Sequence, residues 1–279
     1  MSETTETTVS RTGVRVDGET ASYLTVEQDG PAVLLLHGTY WSRVWLPVLG
    51  GLARAGLRPI AVDLPGLGRS GGELTLETAA VPALADWVAR FASALDLSGP
   101  IAVAGHDIGG AIAQHLLARR RLEVSRLALL NSVTYDSWPV PGVARFRDPE
   151  AVAATTADEF LAARRQAVTT ALAGAAAEQR IVDYLDPWTD GRVRRSWMAL
   201  AGAADSHYTL DLVPELRRST TPKLLVWGED DGFQKVEYAE RFVAEMPNAT
   251  LVRVPEAGHI PTENAPDRIA RALGDFFTA

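Results

Sequence analysis

The 279-residue chain contains no cysteine. Disulfides, thiolate metal sites and a cysteine nucleophile are therefore excluded. No apolar run reaches the ~18 residues that a membrane-crossing helix requires, so no membrane association is expected. Positive charge is scarce as well: 27 Lys and Arg stand against 35 Asp and Glu, a net charge of −8. Nucleic acid is not an expected partner, because its recognition asks for clustered Lys and Arg. The densest basic spot, "RRR" at 119–121, fits the C-terminus of a helix. No His, Asp or Glu spacing suggests a metal site. "DLPGLGRS" (63–70) holds a Gly-x-Gly but not the Gly-x-Gly-x-x-Gly phosphate fingerprint, so no nucleotide and no other cofactor is expected. The opening "MSETTETTVS" lacks the apolar segment of a signal peptide. It reads as a disordered tail over residues 1–10, and a cytoplasmic location is the expectation.

What the chain does have is order. With 47% hydrophobic residues it can bury a full core. Residues 11–29 alternate polar and apolar, as a starting antiparallel pair does. "AVLLLHG" (32–38) is a continuous apolar run closed by glycine, the mark of a strand buried on both faces. Runs of the same kind follow at 58–66, 99–107, 125–132, 221–231 and 249–259. Helix-period segments at 77–96, 109–120, 235–245 and 263–277 lie between most of them. Such alternation predicts an α/β fold: a mostly parallel eight-stranded sheet with helices on both faces. It breaks between 133 and 213, an Ala/Arg-rich helical segment with Pro and Trp punctuation. That segment is expected to be a helical cap inserted into a core of 11–132 and 214–279.

Open parallel sheets hold ligands at the carboxyl ends of their strands. Here five strand ends carry polar groups in sequence order: "HGTYW", "DLPGLGRS", "GHDIGG", "GEDDGF" and "EAGHIP". "AVAGHDIGGAIAQ" (102–114) runs from a strand through a Gly-x-Asp-x-Gly turn into a helix opening on small residues. Gly105 and Gly109 flank a turn in which a Cβ would clash, and Gly110 lets the helix sit close to the sheet.

Over nearly its whole length the chain resembles the α/β-hydrolases, and "GHDIGG" resembles the nucleophile elbow of their aspartate-nucleophile branch, the epoxide hydrolases and haloalkane dehalogenases. The usual elbow centres on serine, with triad order nucleophile, acid, histidine. Asp107, Asp231 and His259 keep that order, and "GEDD" resembles the family's acid turn, which selects Asp231 over Asp230. "AGHIPTENAPDRIARAL" resembles the histidine loop and final helix. The resemblance assigns the oxyanion hole to the backbone N–H groups of Thr39 and Ile108. His37 and His106 read as structural hydrogen-bonders and His207 as a surface residue.

The carboxylate has a chemical meaning. A serine must lose its proton before it attacks, whereas an aspartate of ordinary pKa near 3.9 is already an anion at neutral pH. On an ester carbonyl its adduct would fall back, because the alkoxide is the poorer leaving group. On a saturated carbon bearing a halide or strained oxygen it forms an alkyl ester of Asp107 instead. His259, oriented by Asp231, then activates water against that ester.

The expected reaction is therefore hydrolysis of a small apolar epoxide to a diol, with water as the second reactant. Dehalogenation, lactone opening, or a non-hydrolytic lyase or cyclase on the same fold stand as alternatives. Haloalkane dehalogenases usually place tryptophan after the nucleophile and often asparagine after "HG"; here these are Ile108 and Thr39. Haloacetate dehalogenases place arginine after the nucleophile, which Ile108 also lacks. Tyr208 and Tyr184, in the expected cap, are the candidate proton donors for an opening epoxide. Tyr40, Trp41 and Trp138 are expected to wall an apolar pocket. "HGTYW" departs from the His-Gly-x-Pro of epoxide hydrolases, with Tyr40 in place of proline. The assembly is left open, with a homodimer as one option.

Overall fold

The structure is a computed structural model and describes residues 8–140 and 142–279. Its sheet is built from β1 (Val9–Val16), β2 (Glu19–Val26), β3 (Ala32–Leu36), β4 (Arg58–Val62), β5 (Ile101–Asp107), β6 (Val124–Ser132), β7 (Lys223–Gly228) and β8 (Ala249–Val254). The spatial order is β1-β2-β4-β3-β5-β6-β7-β8. β2 runs antiparallel to β1 and β4, and every pairing from β4 to β8 is parallel. The continuous apolar runs fall where both faces are covered: β5 and β7 are buried at every position. β1 pairs from Val9 onward, so the strand takes in two residues assigned by sequence to the tail, Val9 and Ser10. The rest of that expected tail, residues 1–7, lies outside the described residues.

Two helices precede the elbow, α1 (Leu46–Arg54) and α2 (Val81–Ala94), and α3 (Ile108–Ala118) follows it directly. Between β6 and β7 come α4 (Pro149–Ala154), α5 (Ala157–Leu172), α6 (Glu178–Leu185), α7 (Gly191–Gly202), α8 (His207–Leu210) and α9 (Val213–Arg218). The chain ends with α10 (Val236–Glu245), α11 (Pro261–Asn264) and α12 (Pro266–Thr278). α5 starts at a capping box, with the Thr156 hydroxyl and Glu159 carboxylate bonding each other's backbone N–H. It packs against α6 and α7, whereas α8 and α9 pack on α3 of the core.

"DLPGLGRS" has a structural explanation. The buried Asp63 carboxylate accepts from the backbone N–H groups of Ser42 and Arg69 and from the Arg11 guanidinium. Gly68, at φ +52, leaves the space in which a Cβ would strike that carboxylate at 2.4 Å. The loop is wound around an anion of its own.

Candidate active site

The elbow joins β5 to α3 with a register shift between His106 and Asp107. Asp107 is held at φ 55, ψ −126, a conformation that only a tightly determined neighbourhood keeps. The glycines make that neighbourhood. A Cβ on Gly105 would lie 2.4 Å from the Gly110 nitrogen, and one on Gly110 would lie 1.6 Å from Ser132 Oγ. A Cβ on Gly38 would meet the Ile108 nitrogen at 2.4 Å, so Gly38 lets the loop after β3 lie against the elbow.

That loop distinguishes the two oxygens of Asp107. Oδ2 accepts from the Thr39 backbone N–H at 2.8 Å and from the Thr39 hydroxyl at 2.7 Å. Among the described residues no hydrogen bond reaches Oδ1. The Ile108 nitrogen stands at the open first turn of α3, where backbone N–H groups have no intrahelical acceptor.

His259 Nδ1 lies 2.8 Å from Asp231 Oδ2. Asp231 is fixed in turn by Asn131 Nδ2 on Oδ2 at 2.7 Å and by the N–H groups of Phe233 and Gln234 on Oδ1. Asp230 is exposed. Burial alone would push Asp231 up, but the neighbouring His259 charge and these hydrogen bonds hold it below the usual carboxylate range. Burial likewise pushes the His259 imidazole down, and the Asp231 charge and hydrogen bond outweigh it, leaving it raised above its ordinary value of 6.5. His106 Nε2 lies 2.7 Å from the His259 carbonyl oxygen and so anchors the histidine loop. Burial, reinforced by His259, pushes His106 down to about 4, so it is neutral at physiological pH. His37 links the Gly38 carbonyl to the Leu64 N–H, and His207 sits exposed beside Asp205.

The sign of the His259 shift yields a prediction. A histidine that must accept a proton works only when neutral, and here it stays protonated to a pH above 6.5. The His259 imidazole of the free protein is therefore expected to titrate with a midpoint above 6.5. An NMR titration of its ring between pH 5.5 and 9 tests this; a midpoint below 6.5 contradicts it.

Asp107 and His259 open into a cavity of about 80 Å³, lined also by Thr39, Tyr40, Trp138, Trp197, Arg164 and Gln234. Of the residues expected to wall the pocket, Tyr40 and Trp138 do so. Trp41 does not: its ring turns away beneath the guanidinium groups of Arg11 and Arg69, at 5.4 and 5.6 Å. Neither candidate proton donor lines the cavity. The Tyr184 hydroxyl donates to Glu263 Oε1 at 2.9 Å, in a cluster where Arg43 and Arg180 also meet Glu263. Tyr208 belongs to α8, which packs on α3, and it is not among the residues lining the cavity. Sequence reasoning missed Arg164 and Gln234. Arg164 carried a usable signal, since Phe160, Arg164, Ala167 and Ala171 follow the spacing of one helix face and three of them are apolar.

A mostly parallel sheet with Asp107, Asp231 and His259 at or beyond the carboxyl ends of β5, β7 and β8 places the fold in the class of α/β hydrolases. Residues 33–272 match the alpha/beta hydrolase family, and the chain belongs to it. It is 28% identical to a haloalkane dehalogenase of Bradyrhizobium diazoefficiens, over 89% of this chain and 87% of that one. It is also 28% identical to a putative carbamate hydrolase of Variovorax paradoxus, over 89% and 92% of the two chains. Among solved structures, an α/β-hydrolase fold protein from Burkholderia ambifaria superposes with a TM-score of 0.83 at 25% identity, covering 95% and 97%. A haloalkane dehalogenase from Bradyrhizobium elkani superposes at 0.81 and 23%, covering 97% and 98%. Among the described residues no helix is long and apolar enough to cross a membrane.

Proposed function

We propose that the protein is a hydrolase that displaces a leaving group from a saturated carbon through an alkyl ester of Asp107. One observation carries this reading: the unequal treatment of the two Asp107 oxygens. Oδ1, free of hydrogen bonds, is the attacking atom. Oδ2 then becomes the ester carbonyl oxygen, already seated on the Thr39 N–H and hydroxyl. When water adds to the Asp107 carboxyl carbon, negative charge develops on Oδ2, where those donors are in place beforehand. His259 takes the proton of that water, and Asp231 holds the imidazole so that Nε2 is the accepting atom. The tetrahedral intermediate collapses with release of the alcohol, and Asp107 is restored.

Halide is the leaving group we assign. The family relatives named above as haloalkane dehalogenases support it, as does the position of Tyr184 and Tyr208 outside the cavity. The usual halide donors are replaced: Ile108 offers no indole, and the Trp197 N–H is spent on the Thr39 carbonyl oxygen at 2.8 Å. Trp138 is the remaining indole on the cavity wall. Epoxide opening is the second reading, favoured by Tyr40. Tyr40 lines the cavity, and its hydroxyl makes no hydrogen bond among the described residues. Burial and the Asp107 charge raise its phenol above the ordinary value, so it remains a proton donor.

A single turnover in heavy-oxygen water tests the covalent step. Water attacks the Asp107 carboxyl carbon, so the label is expected in the Asp107 side chain before it reaches product. Product formed while the peptide containing Asp107 stays unlabelled overturns the proposal.

A further inference from the structure

Arg164 sits where an apolar residue is expected, on the inward face of α5 in line with Phe160 and Ala171, both buried. It lines the same cavity as Asp107 and His259. Its guanidinium carbon lies 4.0 Å from the Trp197 ring centroid and 5.9 Å from that of Phe160. Aromatic faces hold the group in place without neutralising it. Among the described residues no carboxylate pairs with it and no carbonyl accepts from it. A cation withdrawn from water into such a site is costly unless an anion joins it.

The other charges of the cavity are already answered. Asp107 Oδ2 has the two Thr39 donors, and Asp231 has His259. Gln234 adds a second unanswered group. It is 1% exposed, lines the cavity, and its Oε1 is buried without a partner. Its side-chain nitrogen bonds to nothing among the described residues either. A planar ligand with two acceptor oxygens would match the planar guanidinium fork and accept from the Gln234 side-chain nitrogen, the donor of that amide. The cavity, at about 80 Å³, is far smaller than the roughly 300–1,000 Å³ of sites for drug-sized ligands.

We propose that Arg164, supported by Gln234, is the subsite for the carboxylate of a small substrate, so that the enzyme acts on short carboxylic acids bearing a halide on a saturated carbon. The inference rests on the alkyl-ester reading of Asp107. The step balances: Asp107 Oδ1 forms the new C–O bond, the halide leaves with the electron pair of the C–X bond, and water releases a hydroxy acid and a proton. It replaces the apolar substrate expected from the sequence with an anionic one.

The test separates binding from chemistry. Propionate and propionamide are titrated against the protein, following the fluorescence of its tryptophans, two of which line the cavity. Propionate is expected to bind and its neutral amide to bind at least about 10-fold more weakly. Arg164→Gln is expected to weaken propionate about 10- to 100-fold, the range of a charge-assisted hydrogen bond, with Arg164→Lys in between. Equal binding of acid and amide, or propionate affinity unmoved by Arg164→Gln, overturns the subsite whatever Asp107 does. In turnover, 2-bromopropionate is expected to exceed 2-bromopropionamide in kcat/KM, with the ratio collapsing in Arg164→Gln. A propionate site that depends on Arg164, without alkylation of Asp107 by any bromide, retains the subsite and removes only the covalent reading. Should Arg164→Gln fail to fold, the wild-type comparison of acid with amide and Arg164→Lys still decide.

Discussion

His259→Gln is expected to turn over once and stop. With a reactive alkyl bromide or an epoxide, its Asp107 peptide should gain the mass of the alkyl group and keep it for hours. Glutamine can occupy the imidazole's place but cannot take a proton from water. The first half-reaction requires only Asp107 and a leaving group, so it survives; the second loses its base. A positioned base contributes ~10²–10⁴-fold, so steady-state turnover should fall by about three orders of magnitude. Asp231→Asn is the partner experiment. It removes the charge that raises His259 and changes the hydrogen-bonding partner that selects the tautomer, and should cost up to about 10⁴-fold. Intact-protein mass spectrometry reads the first result directly. If His259→Gln forms no adduct with any bromide or epoxide, covalent alkyl transfer is wrong, and acid–base chemistry between Asp107 and His259 takes its place.

The adduct experiment concerns residues that the sequence alone placed together. Their legibility has a physical cause. A parallel strand covered on both faces has no polar side to show, so "AVLLL" could be read as β3 to the residue. The turns at the ends of such strands tolerate few residue types, and the glycines of "GHDIGG" stand where side chains would collide. Legibility declined where packing, not local chemistry, decides. α1 contains Pro47, Gly50 and Gly51 and reads poorly as a helix, yet a Cβ on Gly51 would meet Ala270 Cβ at 2.5 Å. Its glycine serves contact with α12. The segment read as one helix at 263–277 divides into α11 and α12 at Pro266. In the loop after β3, Tyr40 turns inward and Trp41 outward, and nothing in "HGTYW" distinguishes them. The helical segment between β6 and β7 was least legible. Which tyrosine faces Asp107 depends on where α6 and α8 dock, and Glu263 and α3 respectively hold them elsewhere. Arg164 was overlooked because a charged residue in an Ala/Arg-rich helix looks like surface until its neighbours at helical spacing prove buried.

Gly109→Ala is expected to destabilise the protein strongly. The new Cβ would lie 2.3 Å from the Leu36 carbonyl oxygen, 2.6 Å from its carbon and 2.7 Å from the His37 carbonyl oxygen. All three are backbone atoms at the end of β3, a central strand, so no rotamer change can relieve them. Gly110→Ala meets Ser132 Oγ at 1.6 Å, which can rotate away, but also Ser132 Cβ at 2.6 Å, which cannot, so it is expected to be costly too. Overpacking a core usually costs about 1–3 kcal/mol, and a clash with fixed backbone belongs at or above the top of that range. Domains have only about 5–15 kcal/mol in total, so the midpoint of denaturant unfolding should fall sharply. Gly174→Ala is the control: nothing lies within 4 Å of its added Cβ, and the change should be neutral or slightly stabilising. The loss should extend to chemistry as well. Pushing α3 away from β3 separates the Ile108 nitrogen from the Thr39 loop, so residual folded Gly109→Ala should hydrolyse the Asp107 ester more slowly than it forms it. Equal unfolding midpoints for Gly109→Ala and the Gly174→Ala control would show that β3 and α3 do not approach as closely as the seating of Asp107 Oδ2 requires.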